Sequence, residues 1–308
     1  MKRMIGLLVV MGVAMAAYGA EAKLARDERK VEVTIGGKPF TTYYYNDGMG
    51  KPFVRPFFYP VLAADGQAVT ADQSTEGGDH PHHRSMWVAQ GAVNGVDHWA
   101  FPKGEPPRQV TVDLKAEGDT ITQQLYWEDK EKKPMLKENR TLRFFEFADG
   151  SRGVDFTLVF EPVDAPVTFG DTKEAGLCSV RVHRKISEKG SVVVSNATGA
   201  SGEKNIWGKP AIWCDISGQI DGRPYGIAIL DHPSNPRHPS TWHVREYGLM
   251  GANIFGLSDF DKAKYPKGSG DLKMEKGKPV TFKYRVVIHQ GDAKAANLDA
   301  KWKEFGGQ

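Results

Sequence analysis

Short runs of alternating or β-branched residues recur along almost the whole chain, and they constrain its fold more than any other feature. A dozen are present, among them KVEVTI at residues 30–35 and VTFKYRVVIHQ at residues 280–290. Clusters of Gly, Pro, Asn and Asp separate these runs, which is the pattern of antiparallel sandwiches and barrels. The sequence therefore predicts an all-β fold, built as a large antiparallel β-sandwich.

Two pairs of runs have the pattern of β-hairpins, because each pair has a glycine-containing turn at its middle. Residues 109–128 carry Gly118-Asp119 between two alternating runs, and residues 144–160 carry Asp149-Gly150. Glycine supplies the positive φ that a tight hairpin turn requires. Only the tail, from about Ala293 to Phe305, has a helical pattern, so we predict a short C-terminal helix there.

Residues 73–107 and 231–271 interrupt this pattern, because they are poor in strand-like runs and dense in Gly, Pro, His, Asn and Trp. Long loops in a compact domain are usually functional or disordered, and an aromatic composition argues against disorder. We expect both regions to be ordered loops over one face of the sandwich.

The first 22 residues have the order of a secretory signal: two cations, an apolar run, and small residues around Glu21. We predict that residues 1–22 are removed, that residues 23–308 form a single β-sandwich domain, and that the protein is periplasmic or secreted. No later stretch is long enough to span a membrane. Cys178 and Cys214 each lie in a strand-like run, where a buried free thiol is the commonest state, but export also permits a disulfide.

The net charge limits the kinds of partner that the protein is expected to bind. At +3, without a block of Lys or Arg, the chain has no electrostatic footprint for nucleic acid or anionic lipid. A small molecule or an oligosaccharide is the expected partner. The oligomeric state does not follow from the sequence.

The first loop region contains DHPHHRSMW, in which three histidines, an acid and an arginine fall within six positions. Imidazole titrates near neutral pH, so a histidine oriented by a carboxylate can act as a general acid or base. We take His82 and His83 as catalytic candidates. The substrate-binding candidates of this region are Arg84, Trp87, Asn94, Asp97 and Trp99.

The second loop region contains DHPSNPRHPSTWH, which also opens on Asp-His-Pro and contains a Trp near its end. Its catalytic candidate is His232, and its binding candidates are Arg237, His238, Trp242 and His243. Three prolines stiffen this segment and lower the entropy lost on ordering it. Because the two segments are alike and hold six of the nine histidines, we expect them to form one cleft.

A third segment, TKEAGLCSVRV, places two charged residues in a turn ahead of a strand. Glu174 is a candidate carboxylate partner of the catalytic histidines, and Lys173 is a candidate binding residue. The same pair also fits a plain solvated turn. These alternatives stay open at the level of the sequence.

Neutral imidazoles also bind metals, and His80, His82, His83 and His232 are the candidate ligands. Their spacing matches no strong zinc motif such as H-E-x-x-H, and structural hydrogen bonding is a further alternative. No cofactor is therefore certain, although a divalent metal remains open. Tryptophan faces stack on sugar rings while Arg, Asn and His donate to hydroxyls, which favours a saccharide ligand.

Several long segments resemble the PmoA-like family of secreted bacterial proteins, often labelled "methane oxygenase". The resemblance rests on FVRPFFYPV, DHPHHRSMWVAQGAVNGVDHW, TKEAGLCSVRV, IWGKPAIWCDISG and GIAILDHPSNPRHPSTWHVREYGLMGANIFG, and it covers about Lys51 to Gln290. It implies a galactose-mutarotase-like supersandwich with a saccharide cleft. It also implies a carbohydrate-active enzyme that acts on a sugar or keto-sugar by His/carboxylate acid–base chemistry, as an epimerase, lyase or hydrolase.

Two other functions stay open beside this one. A non-catalytic saccharide-binding module would use the same aromatic residues without proton transfer. A metal-dependent oxidoreductase is what the family label implies.

Overall fold

The computed structural model describes residues 19–46, 53–101 and 104–306. In these ranges the first nine strands are β1 (Ala22–Arg26), β2 (Lys30–Ile35), β3 (Lys38–Tyr44), β4 (Phe57–Val61), β5 (Met86–Gln90), β6 (Gln109–Glu117), β7 (Thr120–Glu128), β8 (Pro134–Glu146) and β9 (Arg152–Pro162). The next nine are β10 (Val167–Phe169), β11 (Ala175–Arg181), β12 (Val193–Asn196), β13 (Trp213–Ile220), β14 (Arg223–Asp231), β15 (Trp242–Arg245), β16 (Leu249–Ala252), β17 (Leu272–Met274) and β18 (Val280–Gln290). The helices are short: α1 (Glu203–Ile206), α2 (Leu257–Phe260) and α3 (Leu298–Gly306).

The strands form two eight-stranded antiparallel sheets and one small two-stranded sheet. The first sheet has the order β1-β2-β3-β4-β5-β11-β16-β15, and the second has the order β12-β13-β14-β18-β9-β8-β7-β6. The small sheet pairs β10 with β17. The predicted all-β sandwich with large antiparallel sheets and a short C-terminal helix is confirmed.

The two large sheets pack face to face over one shared core. The ring of Phe40 in the first sheet meets that of Phe144 in the second at 6.3 Å, and Phe58 meets Phe156 at 5.8 Å. Alternation along each strand decides which residues enter this core, because successive side chains of a strand point to opposite faces.

The outer face of each sheet carries a smaller apolar cluster. The second sheet buries Trp213, Leu230 and Val287 against Leu298 of α3. On the first sheet, Trp87 and Ala89 of β5 face outward while their neighbours Met86 and Val88 enter the core. The outer face of the first sheet is where the candidate site lies.

Both hairpins form as predicted. Glu117 pairs with Thr120 around Gly118, whose φ is 57°, and Glu146 pairs with Arg152 around Gly150, whose φ is 80°. Both values are left-handed and favour glycine.

The regions predicted as loops and tail differ in detail. Residues 73–107 contribute β5, and residues 231–271 contribute β15, β16 and α2. Helix α3 begins at Leu298, later than the predicted Ala293. Of the predicted signal peptide, residues 1–18 lie outside the described residues, and Ala22 begins β1, so its removal stays a prediction. No helix among the described residues is both long and apolar enough to cross a membrane.

Candidate functional site

One row of directly paired residues crosses the outer face of the first sheet from β3 to β15. Its members, in order, are Tyr44, Phe57, Trp87, Ser179, Gly251 and His243. Ser179 and Gly251 are small, so they leave room between Trp87 and His243. The indole of Trp99, from the loop after β5, lies 5.5 Å from the Trp87 ring and stacks on His243 at 6.0 Å.

A column of near-parallel rings rises from Trp87 through the HPHH turn. His83 stacks on Trp87 at 5.5 Å and 18°, His80 stacks on His83 at 4.8 Å and 9°, and Tyr247 stacks on His80 at 5.3 Å and 16°. His82 stands nearly perpendicular to His83 at 4.5 Å. We call His80, His82, His83, Trp87, Trp99, His243 and Tyr247 the histidine–tryptophan cluster.

The turn that carries the histidines is held by buried polar contacts. The amide of His83 donates to the carbonyl of His80 at 2.8 Å, which closes the turn. Arg55 donates to the carbonyls of His82 and His98 at 2.6 and 3.0 Å, and so ties the turn to the loop that carries Trp99. These contacts therefore hold the backbone of the turn in place.

Trp207 and Arg245 border the cluster at the β15 edge of the first sheet. Trp207 meets the His243 ring at 5.0 Å and 90°, and the Arg245 guanidinium lies 4.0 Å above the Trp207 ring. Arg245 also pairs with Glu203 of α1 at 2.5 Å. The His243 imidazole is thus enclosed between Trp99 and Trp207.

The imidazoles of the cluster favour the neutral form. Burial lowers the pKa of His82 to about 4 and that of His243 to about 3, because desolvation disfavours the charged ring. The Arg55 charge lowers the pKa of His82 further. Burial also lowers the pKa of His83 strongly. These three rings are therefore neutral at neutral pH.

Several polar atoms of the cluster lack a partner among residues 19–46, 53–101 and 104–306. The indole Nε1 atoms of Trp87 and Trp99 are buried without a hydrogen-bond acceptor, and so is Nε of Arg55. Buried polar groups are nearly always hydrogen-bonded, so each exception calls for an explanation.

The Lys173–Glu174 pair lies at the rim of the cluster. Their side chains form an ion pair and are each more than one-third exposed. The carbonyl of Glu174 accepts from Gly91 at 2.8 Å, and Gly91 approaches Trp99. The Lys173 charge also lowers the pKa of His243, after burial. The structure therefore places Lys173 near His243, and Glu174 beside the loop that carries Trp99.

His232 and His238 lie elsewhere, at the end of β14 beside α3. The His232 ring meets Phe305 at 4.9 Å. His238 lies 2.6 Å from the Asp231 carboxylate and stacks near Trp302 at 6.1 Å. The Asp-His-Pro start of the second segment therefore lies away from the first segment, and the structure places neither His232 nor His238 in the cluster.

Two other candidates of the second segment serve the fold. Arg237 donates to the carbonyls of Ile254 and Gly270 at 3.2 and 2.8 Å, and so fastens a loop. Trp242 points into the core and donates to the carbonyl of Ala211 at 3.0 Å. Of this segment only His243 joins the cluster.

Three candidates of the first segment also have local partners. Arg84 forms a buried two-point ion pair with Asp72. Asn94 accepts from the amide of Thr168 at 2.8 Å, and Asp97 accepts from the amide of Trp99 at 2.7 Å. The last contact positions a cluster residue, whereas Asn94 links the loop to β10.

The metal candidates do not converge on one point. The described residues contain no group of three or more His, Cys, Asp or Glu side chains arranged around a common position. His80 and His83 are stacked face to face, and His232 lies beside α3. A metal at these histidines stays a prediction.

The sequence did not single out Arg181 and Arg55, which border the cluster, or Tyr247, which belongs to it. Arg181 lies 3.3 Å from Nδ1 of His83 and 4.7 Å from the Tyr247 ring. Arg55 lies beneath the turn, and Tyr247 completes the ring column. The one signal for Arg181 is its position in the strand-like run LCSVRV, two residues beyond Ser179, which puts it on the same face.

The family comparison identifies the chain. Residues 30–303 match the model of DUF6807, a family of unknown function. The chain belongs to this family. The family's description names no activity, so the methane oxygenase label stays a prediction from the resemblance. No curated protein matches the sequence.

Solved structures with a similar course of the chain have very different sequences. A galactose mutarotase related enzyme from Lactobacillus acidophilus is 9% identical, with 87% of this chain and 97% of that chain covered, at a TM-score of 0.36. A homologue of aldose epimerase from C. elegans is 6% identical, with 90% and 100% covered, at a TM-score of 0.36. A polysaccharide lyase is 10% identical, with 90% of this chain but 33% of that chain covered, at a TM-score of 0.38.

Proposed function

We propose that the histidine–tryptophan cluster binds a saccharide and that the protein is an enzyme which moves a proton on that sugar. An epimerase, a lyase and a hydrolase each require such a step. The observation that carries the proposal is His82, a partly exposed and neutral imidazole held in place among aromatic rings. A neutral imidazole positioned beside a bound ligand is a general base.

The surrounding rings supply the binding surface. Tyr247 is 39% exposed and Trp207 is partly exposed, so both offer ring faces on which a sugar can stack. Glu174, at the rim, is the complementary group to His82. His83 is buried against Trp87 and Arg181, and it positions the turn rather than contacting substrate.

The test separates binding from turnover. A panel of saccharides is titrated by calorimetry into the wild type and the His82→Gln variant, and products are followed by NMR. His82→Gln should retain binding within a fewfold while turnover falls by about 10²–10⁴, the usual contribution of a general acid or base. Turnover of the wild type should fall as the pH drops through about 4, because His82 is then protonated.

His232→Gln is the matched control, because His232 is a partly exposed histidine outside the cluster. It should leave both binding and turnover unchanged. Binding without product would favour a non-catalytic module, and the absence of any saccharide binding would overturn the proposal. Residues 1–22 are the reason for proposing that the protein acts in the periplasm or outside the cell.

A further inference from the structure

Arg181 carries a buried positive charge at the border of the histidine–tryptophan cluster. Arg181 is 7% exposed, and its guanidinium has no carboxylate within ion-pair distance in the described part of the chain. The nearby acids are engaged: Glu174 with Lys173, and Glu203 with Arg245. An unpaired buried charge is costly, so Arg181 calls for a counter-charge.

Asp79 does not supply that counter-charge directly. Its carboxylate is 77% exposed and lies 2.7 Å from Nδ1 of His80. Its distance from Arg181 exceeds that of an ion pair, although its charge reaches the guanidinium weakly. In the described part of the chain, the Arg181 guanidinium contacts an imidazole nitrogen of His83 and the face of Tyr247, and neither carries a negative charge at neutral pH.

Two indole N–H groups of the cluster also lack a partner, in their case a hydrogen-bond acceptor. Trp87 and Trp99 are each 1% exposed, and both N–H groups lack an acceptor among the described residues. His83 stacks on Trp87 and lies beside Arg181, so the donors belong to one cluster. Two buried donors beside Arg181 and His83 are thus left without an acceptor in the described part of the chain.

We propose that Arg181 binds the carboxylate of an acidic sugar, so that the substrate class of the proposed enzyme is a uronic acid or a saccharide that contains one. This inference rests on the proposed saccharide function. A planar guanidinium presents parallel N–H groups that match the two oxygens of a carboxylate. The guanidinium carbon lies 4.7 Å from the centroid of the Tyr247 ring.

The experiment compares each acid with its neutral amide. Glucuronate, glucuronamide, galacturonate and galacturonamide are titrated by calorimetry into the wild type and Arg181→Gln. The wild type should bind at least one acid about 10- to 100-fold more tightly than its amide, the range for a charged hydrogen bond. Arg181→Gln should bind acid and amide within about twofold of each other.

Two further variants keep the test decisive. Arg184→Gln removes an exposed guanidinium three residues away and should leave the preference unchanged. Arg181→Lys retains the charge, so it should retain part of the preference even if Arg181→Gln does not fold. Equal binding of acid and amide by the wild type would overturn the inference and leave the saccharide function intact.

Two other outcomes also decide between the proposals. Tighter binding of glucose 6-phosphate than of either uronate would overturn the assignment to a carboxylate. Failure of all these sugars and of the neutral saccharide panel to bind would overturn the proposed function as well.

Discussion

Replacing Arg84 tests whether this residue serves the fold or the ligand. Its Nε and Nη2 lie 3.0 and 2.7 Å from the two oxygens of Asp72, and the side chains are 2% and 0% exposed. Removing one partner of a buried ion pair strands the other charge and costs about 3–5 kcal/mol. We expect Arg84→Met to lower the free energy of unfolding by that amount in urea titrations followed by tryptophan fluorescence.

A double variant and a surface control separate the causes. Asp72→Asn combined with Arg84→Met should recover about half of the loss, because no charge is then left buried. Arg143→Met breaks a pair with Asp119 that is more than one-third exposed, and it should cost about 1 kcal/mol or less. If Arg84→Met keeps wild-type stability and instead abolishes saccharide binding, Arg84 is a ligand contact and the reasoning is refuted.

Two further predictions concern buried titratable groups. Burial lowers the pKa of His98 and of His243 from 6.5 to about 3, so the unfolded chain binds protons that the folded chain does not. The free energy of unfolding should therefore fall as the pH drops below about 6.5, by up to about 1.4 kcal/mol per pH unit for each ring, and a flat urea-unfolding profile between pH 7 and 5 would contradict this. Cys178 and Cys214 are buried free thiols, so a thiol reagent should label neither in the native protein and both in urea; an unreactive unfolded protein would indicate a disulfide.

Much of the fold follows from local patterns. KVEVTI is β2 to the residue, and the glycine turns at 118 and 150 close the hairpins as expected. Strands β15 and β16 were harder to predict, because each has only four residues within a segment dense in Gly, Pro and His. The pairing of β16 with β11 is a non-local contact, which no local propensity encodes.

The site was only partly predictable, for a different reason. A strand that ran through His82 and His83 would put their side chains on opposite faces of the sheet. The strand begins at Met86, and a turn places both rings in one cluster. Arg181 was not singled out because its run resembles every other strand, and its unpaired state depends on what surrounds it in space.

Similar segments need not have similar roles, as the two Asp-His-Pro runs show. Asp79 is exposed, and its one ion pair among the described residues is with the neighbouring His80. The His80 ring stacks on His83 in the cluster. Asp231 is buried, and it accepts from Ser240 at 2.8 Å and holds His238 at 2.6 Å. The sequence shows which side chains each loop contains. In this protein, the loop with the buried Asp231 holds the fold together, and the loop with the exposed Asp79 contributes to the site.

The outer faces of the two sheets explain why the site lies where it does. On the second sheet, α3 supplies apolar residues such as Leu298 that cover Trp213 and its neighbours, and the Trp213 indole donates to Asp299 at 2.8 Å. Over the first sheet, the indoles of Trp87 and Trp99 are also buried but have no such acceptor among the described residues. An indole N–H thus has a protein acceptor on the second sheet, whereas two indole N–H groups at the first sheet have none among the described residues. This is why we expect a ligand to bind at the first sheet.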